Sequence, residues 1–196
     1  MADPPPRRIA AAQLPDGDVV RILLDQHARI REGFAKVRSD SPAARQRSFA
    51  ELRRLLAVHE VAEEMVVRPV TRLAADGGRV AHARNDEEDK AARMLADLEG
   101  TSPSSTEFAT SLAALEAAVL EHADEEEAEE FPLILASRGE QQRAWMGRAL
   151  RLVEAVGPTH PHPMAAGSTA AQYALGPLVS LVDHTRDVVR KVLSTA

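Results

Sequence analysis

Two short motifs carry the chemistry of this sequence. His59-Glu60-Val61-Ala62-Glu63 and His122-Ala123-Asp124-Glu125-Glu126 each place an imidazole four residues before a carboxylate. Residues i and i+4 share one face of a helix, so each His–Glu pair projects together. Imidazole nitrogen and carboxylate oxygen together form a mixed donor set for divalent metals. One such motif means little in a chain with seven His and 30 Asp+Glu. Two in register mean more. At the same offset of 63 residues, Phe49 matches Leu112, Leu52 matches Leu115, Leu56 matches Val119, Pro69 matches Pro132 and Val70 matches Leu133. Such a repeat predicts two related halves.

Each pair also falls inside its own apolar stripe. Leu52, Leu56 and Val70 flank His59 and Glu63, and Leu115, Val119 and Leu133 flank His122 and Glu126. A carboxylate on a buried stripe is strongly unfavourable unless it is paired or bound to a cation. A third helix adds His27, on the stripe of Val20, Leu23, Leu24, Ile30 and Phe34. A fourth has the apolar face Ala91, Met94, Leu95 and Leu98, with Glu88 at its edge, Glu87 as the alternative and His82 off the stripe. These residues form a candidate metal cage.

The elements that must position them are helices. Asp18 caps a first helix over 18–38. Ser41-Pro42 opens a second over 42–73, because proline is tolerated in a first helical turn. Asp76-Gly77-Gly78 precedes a third over 79–99, closed by Gly100, and a fourth runs over 106–137. Short connections make neighbours antiparallel, which predicts an all-α, up-down-up-down four-helix bundle. A shorter helix over 140–155, a Pro/Gly-rich loop containing His160 and His162, and a last helix over 174–194 follow. The expected organisation is a disordered Pro-rich tail over 1–17, the bundle over 18–138 and a helical extension over 139–196. Trp145 and Tyr173 are expected to pack that extension against the bundle. Within the acidic run, Asp124, Glu125 and Glu127 read as a solvated face.

Composition narrows the classes. The chain has no Cys, which removes disulfides, thiolate catalysis, Cys zinc sites and Cys-ligated iron–sulfur clusters. A net charge of −6 argues against nonspecific nucleic-acid binding. No apolar run approaches the roughly 18 residues of a membrane span. With no apolar signal core at the N-terminus, the expected compartment is the cytoplasm. Aromatic residues are only 3% of the chain, which favours helices over a β-sandwich. HEVAE is not the H-E-x-x-H of zinc proteases. Nor is it the E-x-x-H of ferritin-like bundles.

The segments LLDQHARI, HEVAEEMVVRP, NDEEDKAARMLADLEG and HADEEEAEEFPLI resemble the hemerythrin-like (HHE cation-binding) family over about residues 19–136. The segment GPTHPHP also resembles tails of actinobacterial members. The resemblance implies a bundle around a non-haem diiron centre. His27, His59, Glu63, His122 and Glu126 match its ligand positions, with Glu63 and Glu126 bridging two iron ions. Zinc or manganese would also suit such a mixed site. Glu88 stands where the family usually has His. A carboxylate is the harder ligand and favours the ferric state. That points toward hydrogen peroxide or redox chemistry, such as catalase-like peroxide decomposition in oxidative-stress defence, rather than reversible O2 carriage. The alternatives are non-enzymatic binding or sensing of O2 or NO, and iron buffering. The expected partners are these small molecules, without nucleic acid or membrane. The C-terminal segment would cap the bundle or form a homodimer contact.

Overall fold

A computed structural model describes residues 9–156. His160, His162, Tyr173, His184 and the helix expected over 174–194 lie outside the described residues. The described chain is helical, with no strand among its residues.

Helix α1 (Val19–Ser39) starts at Asp18, whose side chain accepts the Val20 N–H at 3.0 Å and satisfies one of the amides left open by the first turn. Helix α2 (Pro42–Ala62) has Pro42 in its first turn. After α2 the backbone widens into a π turn over Glu63–Val67, then resumes as α3 (Arg68–Thr71). Helix α4 (Gly77–Glu99) follows the left-handed Asp76 (φ 59°). A Cβ on Gly77 would fall 1.7 Å from the Thr71 carbonyl oxygen, so only glycine fits this return. Helix α5 (Thr106–Glu125) is capped by Ser105, which accepts the Phe108 N–H at 3.0 Å. A second π turn over Glu126–Glu130 leads into α6 (Phe131–Ser137), and α7 (Glu140–Val156) follows.

The two π turns are the departure from the straight helices expected over 42–73 and 106–137. They fall 63 residues apart, in the register of the repeat. In each, an N–H bonds five residues back: Arg68 to the Glu63 carbonyl and Phe131 to the Glu126 carbonyl. The second residue after each π turn is proline, Pro69 or Pro132. A proline ring collides with the carbonyl four residues before it and lacks an N–H. An extra residue in the turn relieves both problems.

Helices α1, α2 (with α3), α4 and α5 (with α6) form the up-down-up-down bundle. Its core is two apolar clusters. One contains Val20, Leu23, Ala62, Val66, Phe131 and Ile134; the other contains Ile30, Phe34, Leu52, Leu56, Leu115 and Val119. His27 lies between Leu23 and Ile30 on α1, and His59 between Leu56 and Ala62 on α2. The polar layer therefore sits between the two clusters. Helix α7 extends the first cluster through Met146, Leu150 and Val153. Gly147 lets it approach closely, because a Cβ there would lie 2.0 Å from the Gly17 carbonyl oxygen.

Two further expectations change in the described chain. Residues 9–17, expected in a disordered tail, are ordered: Ala11–Gln13 forms a 3-10 turn, Ile9 and Leu14 pack on the first cluster, and Arg21 donates to the Leu14 carbonyl at 2.9 Å. Trp145 is 44% exposed, with the Arg148 guanidinium 4.6 Å over its ring, and so is not buried against the bundle.

Candidate metal centre

The i,i+4 spacing brings His59 and Glu63 together at the end of α2, and His122 and Glu126 together at the end of α5. His59 Nε2 is 3.5 Å from Glu63 Oε2, and His122 Nε2 is 3.3 Å from Glu126 Oε1. His27 Nε2 reaches from α1 to 3.2 Å of Glu126 Oε2. Glu88 Oε1, on α4, is 3.7 Å from His122 Nε2. His27, His59, Glu63, His122 and Glu126 are all buried, and Glu88 is partly buried.

The side chains form two groups able to hold a metal. His27, His59, Glu63 and Glu126 each offer one ligand atom, all within 4.8 Å of one another; so do Glu63, Glu88, His122 and Glu126. Glu63 and Glu126 belong to both groups. Five buried atoms here have no hydrogen-bond partner among the described residues: His27 Nε2, both Glu63 carboxylate oxygens, His122 Nε2 and Glu126 Oε2. Buried polar atoms are seldom left unpaired. Nitrogen and carboxylate-oxygen atoms left open in one place fit a cation.

The opposite edge of each ring is tied down. His27 Nδ1 is 2.9 Å from Glu127 Oε1, His122 Nδ1 is 2.8 Å from Glu87 Oε2, and His59 Nδ1 is 2.6 Å from Gln26 Oε1. Partners of this kind hold a metal-binding imidazole in orientation and leave the other nitrogen for the metal. Glu127 is thus not part of the solvated face expected for it. Glu87 lies behind His122, while Glu88 is the residue of α4 grouped with the candidate ligands. His82 is exposed and stands apart from the site.

Arg68 was not anticipated. Its fully buried guanidinium ion-pairs with Glu88 and Glu130, sits 2.8 Å from Glu126 Oε1 and 3.7 Å from Glu63 Oε2. Glu130, also buried, accepts from the Thr71 hydroxyl. The repeat held a signal for Arg68: its counterpart is Phe131, a core residue.

Charge is distributed unevenly. Burial, and then Glu126, push Glu63 well above the usual carboxylate range. Burial also acts against ionised Glu126, but His122, His27 and Arg68 outweigh it and hold this carboxyl well below that range. His122 shows the same competition: burial opposes its charge, yet Glu126 and Glu87 carry it up to about 11. Burial and the nearby His27 take His59 down to about 3.

Beside the two groups lies a cavity of about 20 Å³, walled by Ile30, Leu56, Ala91 and Val119 and reached by His27, His59, Glu88 and His122. It has room for one water-sized molecule. Glu60 lines the same space and is pushed up to about 8 by burial and by Glu88.

The family model for the hemerythrin HHE cation binding domain matches residues 18–134. A hemerythrin-like protein of Schizosaccharomyces pombe is 24% identical over 176 residues, covering 86% of this chain and 85% of its own. The crystal structure of a hemerythrin HHE cation binding domain-containing protein from Mycobacterium kansasii superposes with a TM-score of 0.57 at 18% identity, over 72% of this chain and 94% of that one. At that identity the likeness is one of fold. Among the described residues, no helix is long and apolar enough to cross a membrane.

Proposed function

The chain belongs to the hemerythrin HHE cation-binding domain family, and we propose that it holds two iron ions in its polar layer and turns over hydrogen peroxide there. The observation that carries this reading is the sharing of Glu63 and Glu126 between two four-residue groups. In it, His27 and His59 would hold one ion and His122 and Glu88 the other, with Glu63 and Glu126 available to both. Such a pair supplies reversible electron transfer and a Lewis-acidic position for a small oxygen species.

The protein's own residues do the rest. Glu127, Gln26 and Glu87 keep the three imidazoles turned inward. The apolar walls of the cavity disfavour bulk water, and its size limits a ligand to a few atoms, as in peroxide, O2 or NO. Arg68 offsets the negative charge that Glu88 adds. Oxygen-rich ligation suits the ferric state and so favours peroxide chemistry. The small cavity equally supports the second reading, non-enzymatic binding of O2 or NO.

An oxygen electrode separates the two. Iron-loaded protein is expected to evolve O2 from hydrogen peroxide faster than the same concentration of free iron. Equal rates would remove the peroxide reading and leave binding or sensing. Metal analysis tests the premise. About two irons per chain are expected for a diiron site, and His59→Ala with His122→Ala should lose most of them.

A further inference from the structure

His59 differs from the other two inward histidines in what meets its Nδ1. Glu127 and Glu87 meet His27 and His122 directly. An ionised carboxylate only accepts, so it suits a ring that carries its proton on Nδ1 and a lone pair on Nε2. His59 meets an amide instead. A glutamine amide can accept through its oxygen or donate through its nitrogen, depending on which way it lies. Taken alone, Gln26 would not determine which nitrogen of His59 carries the proton.

The determining group comes from outside the bundle. Gln26 Nε2 donates to Glu154 Oε1 of α7 at 2.7 Å, and Gln26 Oε1 faces His59 Nδ1 at 2.6 Å. Because a carboxylate accepts, the NH2 group must face Glu154 and the amide oxygen must face His59. His59 then donates from Nδ1, and its Nε2 lone pair points to the side where Glu63 lies. Helix α7 follows the stretch matched by the family model, which ends at residue 134. Its seat does not depend on Glu154: Met146, Leu150 and Val153 are buried, and Arg143 Nε donates to Asp18 Oδ2 at 2.7 Å.

We propose that α7 is a working part of the metal centre, with Glu154 acting through Gln26 to fix the tautomer and orientation of His59. Gln26 and Glu154 are positioning residues. The inference rests on the metal reading above, but its first test needs no metal. In full-length, metal-free protein with 15N-labelled histidine, long-range 1H–15N spectra report which ring nitrogen carries the proton. His59, assigned through its loss in His59→Asn, is expected to be protonated on Nδ1. Glu154→Lys replaces the acceptor with a donor, so the amide should turn over and the His59 proton should move to Nε2. Glu154→Gln keeps an acceptor oxygen and should retain the wild-type tautomer.

Zinc affinity, read by competition with a chelating dye, should then fall about 10- to 100-fold in Glu154→Lys and stay near wild type in Glu154→Gln. If Glu154→Lys does not fold, Glu154→Leu removes the acceptor without adding charge. It should give mixed tautomers and an intermediate loss of zinc affinity. An unchanged tautomer with unchanged zinc affinity in a folded Lys or Leu variant overturns the proposal. A wild type that binds neither zinc nor ferrous iron overturns the metal reading instead, and the metal-free spectra still decide whether Glu154 sets the tautomer.

Discussion

The two halves of the bundle solve the same problem with different chemistry. His59, Glu63, their π turn and Pro69 recur 63 residues later as His122, Glu126, a second π turn and Pro132. Gln26 and His27 on α1 recur 61 residues later as Glu87 and Glu88 on α4. The change from His27 to Glu88 does not stand alone. Phe131 stacks on the His27 ring, with centroids 5.5 Å apart and planes at 18°. Its counterpart Arg68 pairs with Glu88. Glu127 accepts from His27, while its counterpart Glu64 is exposed. Where one side has an imidazole with a ring stacked on it and an acid behind it, the other has a carboxylate paired with a guanidinium, and the matching acid faces solvent. The difference in one candidate ligand is matched by its neighbours, so the group around His27 and His59 is rich in imidazole, and the group around Glu88 and His122 is rich in oxygen with Arg68 beside it.

The largest expected effect comes from removing that cation. Arg68→Phe leaves Glu88, Glu126 and Glu130 without their shared partner and should destabilise the metal-free protein by about 3–5 kcal/mol, read by urea unfolding. Adding Glu88→His and Glu130→Val converts the surroundings of position 88 to those of His27, since Val67 is the counterpart of Glu130. The triple variant should recover most of the loss. If it is no more stable than Arg68→Phe alone, the halves are not interchangeable and the comparison fails.

The two shared carboxylates should also differ. Both Glu63 oxygens lack a hydrogen-bond partner among the described residues, whereas Glu126 has Arg68 and the two histidines around it. Glu126→Gln should therefore cost the metal-free protein about 1.5–3 kcal/mol, the range for hydrogen bonds to a charged group. Burial pushes the Glu63 carboxyl well above the usual carboxylate range, so Glu63→Gln should cost less than Glu126→Gln in the same urea unfolding. Once metal is present, both variants should lose affinity. Equal costs in the metal-free protein would show that the charge is spread evenly after all.

How much of this was legible in the sequence follows from distance along the chain. The His–Glu pairs were legible because i,i+4 geometry is local, and the repeat confirmed their register. Caps such as Asp18 were legible for the same reason. Arg68 was legible only through the repeat and not from local periodicity, because five residues past Glu63 on an ordinary helix lie about 140° off its face. The π turn adds a residue and brings that side chain back inward. Nothing local separates Glu127 from the acids around it; its role depends on His27, 100 residues earlier. Gln26 meets Glu154 across 128 residues, beyond any periodicity argument.

Glu127 and Glu64 offer a smaller test. Glu127→Gln weakens the orientation of His27 and should lower zinc affinity toward the lower end of the about 10- to 100-fold range seen when such partners are removed. Glu64→Gln should leave affinity unchanged in the same dye competition. If Glu64→Gln matched Glu127→Gln, the exposed glutamate would have a role in the site that its position does not suggest.

The prolines should give the smallest difference, and the most nearly equal one. Pro69 and Pro132 each follow a π turn as the second residue of the resumed helix. There the missing N–H costs little and the fixed φ already suits the helix. Alanine should destabilise each half by only about 0.4–1 kcal/mol, through the greater freedom it gives the unfolded chain. The π turns should persist, because reverting to α-helical register would rotate buried Arg68 or Phe131 out of the core. Metal content should therefore match wild type in both variants. A loss of several kcal/mol together with metal loss in Pro69→Ala, but not in Pro132→Ala, would mean that proline holds the first turn and packing holds the second.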